Sequence, residues 1–115
     1  MATLYATSRE VGAVTIVDLS GRIALGEGSA LLRKTIRGLL DDGQNRILLN
    51  LGDVNYIDSS GIGELVSGFT AVRGRNGELK LLNLTKKVND LLQLTKLFTV
   101  FDVYTDEGTA VRSFH

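Results

Sequence analysis

The sequence predicts an α/β fold with a mixed, mostly parallel sheet of about five strands packed with about four helices. After two adjacent β-prone runs, strand-like and helix-like patterns alternate strictly to the end of the chain, which is typical of a parallel sheet. The 115 residues are 43% hydrophobic and 23% charged, in the range of globular domains with one ordinary core. We therefore predict a single domain over residues 1–115, with its core from about residue 4 to residue 114.

The first two predicted strands form a hairpin. Residues 4–9 and 13–19 are both β-prone, and three residues separate them. The second run is rich in β-branched side chains, which favours a central place in the sheet. Ser20 and Gly21 interrupt the pattern, so we predict that the second strand ends there.

The rest of the chain alternates helices with strands. A helix is predicted over 27–41, where apolar residues recur at helical spacing, and Gly43 is a plausible stop. The continuously apolar run 47–51 predicts a strand buried on both faces, followed by a connection over 52–58. The later predicted elements are a helix over about 60–73, a strand over 79–84, a helix with Thr85 as its N-cap, a strand over 100–104 and a helix over 106–114.

The charge distribution argues against nucleic acid and membranes as partners. Thirteen basic residues balance thirteen acidic ones, and no basic cluster is visible in the sequence. No apolar run approaches the roughly 18 residues that a membrane span needs. The first residues lack the basic start and long apolar stretch of a signal peptide, so we expect a cytoplasmic protein.

The residue inventory also argues against an enzyme. The chain has no cysteine, and its single histidine, His115, is the last residue. Ser-His and Cys-His catalytic groupings and zinc sites therefore lack their usual members. Neither of the common glycine-rich phosphate-binding motifs occurs. We expect no enzymatic activity, no metal site and no cofactor.

One segment stands out because it places three polar side chains in a row where a strand leads into a helix. Asp58, Ser59 and Ser60 precede Gly61 and Gly63. A helix cap explains the residue types, since Asp and Ser are preferred N-caps and glycine allows a tight entry. One cap needs only one such residue, however. A phosphorylation switch is the other interpretation, because a helix N-terminus tolerates the added negative charge.

Residues 49–63 resemble the signature of STAS domains in bacterial anti-sigma factor antagonists, also called anti-anti-sigma factors. In that family an apolar strand, a short acidic and polar loop and an Asp-Ser-Ser-Gly helix start follow in this order. Residues 20–23 resemble the family's Gly-x-apolar turn before the first helix. Residues 80–84 and the apolar positions after them resemble its next strand and helix. The resemblance extends over roughly residues 4–114.

The resemblance implies a function. The unphosphorylated protein would bind an anti-sigma factor that is a serine kinase with a histidine-kinase-like ATP fold, and so release a sigma factor. The kinase would phosphorylate the serine directly after the aspartate, Ser59, and a metal-dependent serine phosphatase would reverse this. We expect Ser60 to cap the helix and Asp58 to position the acceptor or the kinase's ATP. The implied switch residues are Asp58, Ser59, Ser60, Gly61, Ile62 and Gly63.

The turn before the first helix is the second implied contact. Gly21, Arg22 and Ala24 would face the partner. Many members carry an acidic residue where this chain has Ala24, so we expect the kinase contact to differ there. Two other functions stay open: a STAS scaffold subunit of a larger signalling complex, and a STAS domain that binds a small molecule or nucleotide through the glycines at the helix start.

Overall fold

The structure is a computed structural model that describes residues 4–115, so the first three residues of the predicted domain lie outside it. Its elements in chain order are β1 (Leu4–Val11), β2 (Val14–Ile23), α1 (Glu27–Asp41), β3 (Arg46–Ile57), α2 (Ser59–Gly74), β4 (Glu78–Leu82), α3 (Lys86–Leu94), a 3-10 turn (Leu97–Thr99), β5 (Val103–Tyr104) and α4 (Glu107–Arg112). The sheet order is β1-β2-β3-β4-β5. β1 is antiparallel to β2, and the other neighbours are parallel. The predicted α/β class and the mixed sheet are confirmed.

The helices divide between the two faces of the sheet. Successive strand residues point to opposite faces, so Val17 and Leu49 join the buried side chains of α1, α2 and α3 in the main core. Ile16 and Leu48 instead join Ala110 of α4 in a smaller cluster on the other face. The three longer helices therefore all cover one face.

The second strand does not end where the sequence predicts. β2 continues through Ser20 and Gly21 to Ile23, so the predicted break is wrong. Its register against β3 shifts twice in this stretch, and Gly21 has a positive φ of 111°. A bulge accommodates the residues that the sequence pattern assigned to a turn.

The third strand is also longer than predicted. β3 runs to Ile57, so the connection predicted over 52–58 is wrong. This part of β3 pairs with the end of β2, up to the neighbours Ile23 and Ile57. β4 pairs with β3 only as far as Asn50. Among the described strands, the polar residues that suggested a loop therefore have a neighbour on one side, β2, and none on the other.

The last third of the chain differs from its prediction in detail. Only Val103–Tyr104 of the strand predicted over 100–104 is strand, and a 3-10 turn precedes it. Phe101 is buried instead against Phe69, with ring centroids 5.5 Å apart in an edge-to-face arrangement. The cap at Thr85 is confirmed, since its hydroxyl accepts from the Val88 N–H. Within residues 4–115, no helix combines the length and apolar character needed to cross a bilayer.

Candidate functional site

The candidate site lies where β2 and β3 end, because neighbouring parallel strands bring their carboxyl ends to one edge of the sheet. Asp58 directly follows β3 and is the N-cap of α2. Its N–H points to the Ile23 carbonyl oxygen at the end of β2, 3.4 Å away. Ser59 is therefore the first helical residue, and it is exposed.

Asp58 joins two segments through its two carboxylate oxygens. Oδ1 accepts from the Gly61 N–H at 3.0 Å and so caps α2. Oδ2 accepts from the Leu25 N–H at 3.0 Å, in the loop between β2 and α1. The backbone N–H of Gly61, followed by that of Leu25, holds the pKa of the Asp58 carboxyl below its usual value. The expectation that Ser60 caps the helix is wrong, because Asp58 fills this role.

Glycines let both helices start directly against the end of β2. A Cβ at Gly61 would overlap the Ile23 carbonyl oxygen, and a Cβ at Gly28 would overlap the Arg22 carbonyl oxygen. At Gly63, by contrast, a Cβ would meet nothing within 4 Å. The packing at Gly61 and Gly28 means that neither helix start can move closer to the end of β2, and that a side chain at either position would displace it.

The two serines occupy different environments. Ser59 is exposed at the corner, whereas the hydroxyl oxygen of Ser60 is buried. The Ser60 hydroxyl helps to keep the pKa of Asp58 low, yet it lacks the geometry of a full hydrogen bond with any described residue. Ser59 is therefore open to solvent at this corner, and the Ser60 hydroxyl is not.

The structure adds Leu25 to the site. This side chain is 82% exposed, and its N–H is bound by Asp58. Neighbouring Ala24 is half-buried, and its carbonyl oxygen accepts from the Ser29 N–H at 3.0 Å. The sequence analysis did not single out Leu25. One signal was present: this apolar residue lies before α1 begins at Glu27, so it is not part of the apolar stripe by which α1 packs on the core.

The predicted partner-facing turn is only partly brought to this corner. Gly21 and Arg22 lie within β2 rather than in a turn, while Ala24 follows the strand and adjoins Leu25. The Arg22 guanidinium stacks 4.1 Å from the ring centre of Tyr56, its neighbour on β3. Arg22 points away from the core, since adjacent Ile23 is buried in it.

Comparison with known proteins identifies the family. A profile of the STAS domain matches residues 5–110. The anti-sigma-B factor antagonist of Bacillus subtilis (strain 168) is 32% identical over 87 residues, which cover 76% of this chain and 78% of that protein. The chain belongs to the STAS-domain family of anti-sigma factor antagonists.

Solved structures support the same fold for this STAS domain. A crystal structure from Thermotoga maritima, described as a candidate anti-sigma factor antagonist, has a TM-score of 0.81 at 27% identity and covers 93% of this chain and 92% of its own. An anti-sigma factor antagonist from Mycobacterium paratuberculosis has a TM-score of 0.85 at 18% identity, with 97% and 94% coverage. The second likeness shows the fold alone.

Along the described part of the chain, no three His, Cys, Asp or Glu side chains group in a way that could hold a metal ion.

The Asp58 cap predicts a pH-dependent contribution to stability. Asp58→Asn keeps one acceptor oxygen but removes the charge and the hydrogen bond to one of the two N–H partners. Because a lost hydrogen bond costs about 1 kcal/mol, we expect a loss of that size in unfolding free energy at pH 7. Because the pKa of Asp58 is lowered on folding, this contribution is fully present above the unfolded pKa of about 3.9 and disappears as pH falls through the folded pKa.

Urea unfolding of wild type and Asp58→Asn from pH 7 to pH 3 measures this effect. The difference between the two proteins should shrink below about pH 4. Asp53→Asn is the matched control. It removes the same charge as Asp58→Asn, but at an exposed residue of β3. A difference for Asp58→Asn that stays constant with pH would contradict the assignment of the cap to the ionised carboxylate.

Proposed function

We propose that this STAS domain is an anti-sigma factor antagonist whose unphosphorylated form binds an anti-sigma factor with serine kinase activity and so releases a sigma factor. Phosphorylation of Ser59 by that kinase ends the binding, and a serine phosphatase restores it in the cytoplasm. The observation that carries the proposal is the exposure of Ser59 beside exposed Leu25, while the Ser60 hydroxyl oxygen is buried.

The chain itself is proposed to have no catalytic role in the phosphoryl transfer. Asp58 is the acid nearest to Ser59 in sequence, and both of its oxygens already accept backbone N–H groups. Its lowered pKa also makes it a weak base. Ser59 is thus supplied as a substrate hydroxyl, and the partner provides both ATP and the base.

The position of Ser59 suits a reversible modification. Backbone N–H groups in the first turn of α2 lack carbonyl partners within the helix, and the helix dipole favours negative charge there. A phosphate adds about −1.5 to −2 charges. The fold therefore tolerates the modification, whereas a partner packed against Leu25 and Ser59 meets a new charge that it must desolvate.

Phosphate mapping tests this proposal. The purified chain is incubated with ATP and, one at a time, with each anti-sigma factor kinase encoded in the same genome, and mass spectrometry locates the phosphate. We expect one phosphate on wild type at Ser59, the same on Ser60→Ala, and none on Ser59→Ala. If kinases that are active on other substrates leave Ser59 unmodified and do not bind the chain, the proposed function is wrong.

A further inference from the structure

An open groove adjoins the candidate site along the free side of β3. β4 pairs with β3 only up to Asn50, so within residues 4–115 the segment 51–57 has no strand neighbour on that side. Helix α3 lies there instead, joined to the strand by a 3.1 Å hydrogen bond from the Thr85 hydroxyl to the Val54 carbonyl oxygen. Between β3 and α3 is an open space of about 700 Å³.

The surface inside this groove is mostly apolar. Ile57 and Leu91 form its inner part and pack on the main core. Leu94, the last residue of α3, is 80% exposed at its rim. Leu91 and Leu94 lie three residues apart and so share one helix face. Leu94 therefore extends the apolar wall of the groove to its rim, and contiguous exposed apolar surface of this kind is where another molecule can dock.

The charged residues that line the groove are two lysines and one aspartate, all on α3. Helix α3 begins with Lys86 and Lys87 and has no acidic residue in its first turn. Cations at a helix N-terminus oppose the helix dipole. Lys86 pairs with Asp90 at 2.8 Å. Lys87 pairs with no carboxylate within residues 4–115. Its Nζ lies 5.9 Å from the ring centre of Tyr56, and the Arg22 guanidinium stacks on the same ring. Because Asp90 neutralises Lys86, Lys87 leaves the rim with one uncompensated positive charge, which is complementary to an acidic side chain.

The groove is continuous with the phosphorylation site. Ile57 lines it, and Ser59 follows two residues later, a span of at most about 7 Å along the chain. We propose that this groove receives a segment of the same anti-sigma factor kinase, with apolar side chains for Leu91 and Leu94 and flanking Asp or Glu residues for Lys87. The inference rests on the proposed function and names the contact that holds the kinase while Ser59 reacts.

Cross-linking locates the occupant directly, because the chain has no cysteine. Leu94→Cys is labelled with a benzophenone maleimide and irradiated with the kinase that modifies Ser59, and the joined peptide is sequenced. We expect a kinase peptide with apolar and acidic residues. Val11→Cys is the control, since Val11 is 37% exposed at the hairpin end of the sheet. A cross-link no stronger than that of the control, or a basic peptide, would overturn the proposal.

Affinity measurements separate this inference from the proposed function. Leu94→Asp and Lys87→Glu should each weaken kinase binding by about tenfold and raise the KM for Ser59 phosphorylation, with kcat unchanged. Lys34→Glu, exposed on α1, should change neither value. If Leu94→Asp binds like wild type while Ser59→Asp does not, the groove assignment fails and the function stands. If no kinase binds the wild type, both fail.

Sedimentation of the chain alone tests the alternative occupant. We expect the same sedimentation coefficient for wild type and Leu94→Asp at every concentration. A wild type that dimerises and a Leu94→Asp variant that does not would show that a second copy fills the groove, and would overturn the proposal.

Discussion

Ser59→Asp is expected to lower affinity for the anti-sigma factor by about 100-fold or more, equivalent to about 2.7 kcal/mol. Ser59 is the first residue of α2, beside Leu25, so its side chain would be buried by any partner that covers this corner. A carboxylate buried without a counter-charge is strongly unfavourable. Titration calorimetry with the anti-sigma factor measures the loss.

The same substitution should leave the fold intact. A negative charge in the first turn of α2 interacts favourably with the helix dipole, so we expect the unfolding free energy to rise by about 0.3–1 kcal/mol. Ser59→Asn is the matched control, because it has nearly the same shape as aspartate without the charge, and it should keep most of the affinity. Equal losses for Ser59→Asp and Ser59→Asn would show that size, not charge, disrupts binding.

Gly61→Ala is expected to destabilise the protein by about 3 kcal/mol, the largest single-residue effect on stability that we predict. The new methyl group would overlap the Ile23 carbonyl oxygen, a backbone atom held in β2, and would also crowd the Ile57 side chain. The start of α2 would have to move, which weakens the Asp58 cap at the same time. Thermal and urea unfolding measure the change.

Gly63→Ala provides the matched control in the same helix. A methyl group there meets nothing within 4 Å, and Gly63 is exposed. Alanine favours a helix over glycine by about 0.8–1.0 kcal/mol, so this variant should be more stable than wild type. The two substitutions, two residues apart, should therefore have effects of opposite sign. A stabilised Gly61→Ala would contradict the close packing of α2 on β2.

The sequence predicted the element order and class because hydrophobic periodicity records which face of each element is buried. It failed where the same residues suit two local structures. Ser20 and Gly21 are common in turns, yet glycine also suits a bulge, and only pairing with β3 decides between them. The polar composition of residues 52–57 suggested a loop. In the described part of the chain this segment is a strand that pairs with β2 and not with β4, so its other side does not require apolar residues.

The candidate site shows the same limit. The segment itself was recognised, but local preferences rank Asp and Ser almost equally as caps, so sequence alone did not identify Asp58. The second hydrogen bond that Asp58 accepts, from the Leu25 N–H, joins residues 33 positions apart. No sequence pattern predicts a contact of this kind. The exposure of Leu25 and Leu94 likewise depends on which neighbours the fold supplies.

The two helix starts packed against β2 also bear on how quickly the proposed phosphorylation signal could be erased. A switch that refolds a segment needs time to return to its first shape after the trigger is gone. Here Gly28 and Gly61 pack directly against the backbone of β2, and the proposed switch, which acts through the added charge, needs no such rearrangement. Each molecule should regain its binding ability as soon as the phosphate leaves, without a lag. The fraction of active molecules would then follow the balance between kinase and phosphatase from moment to moment, with no memory of earlier exposure.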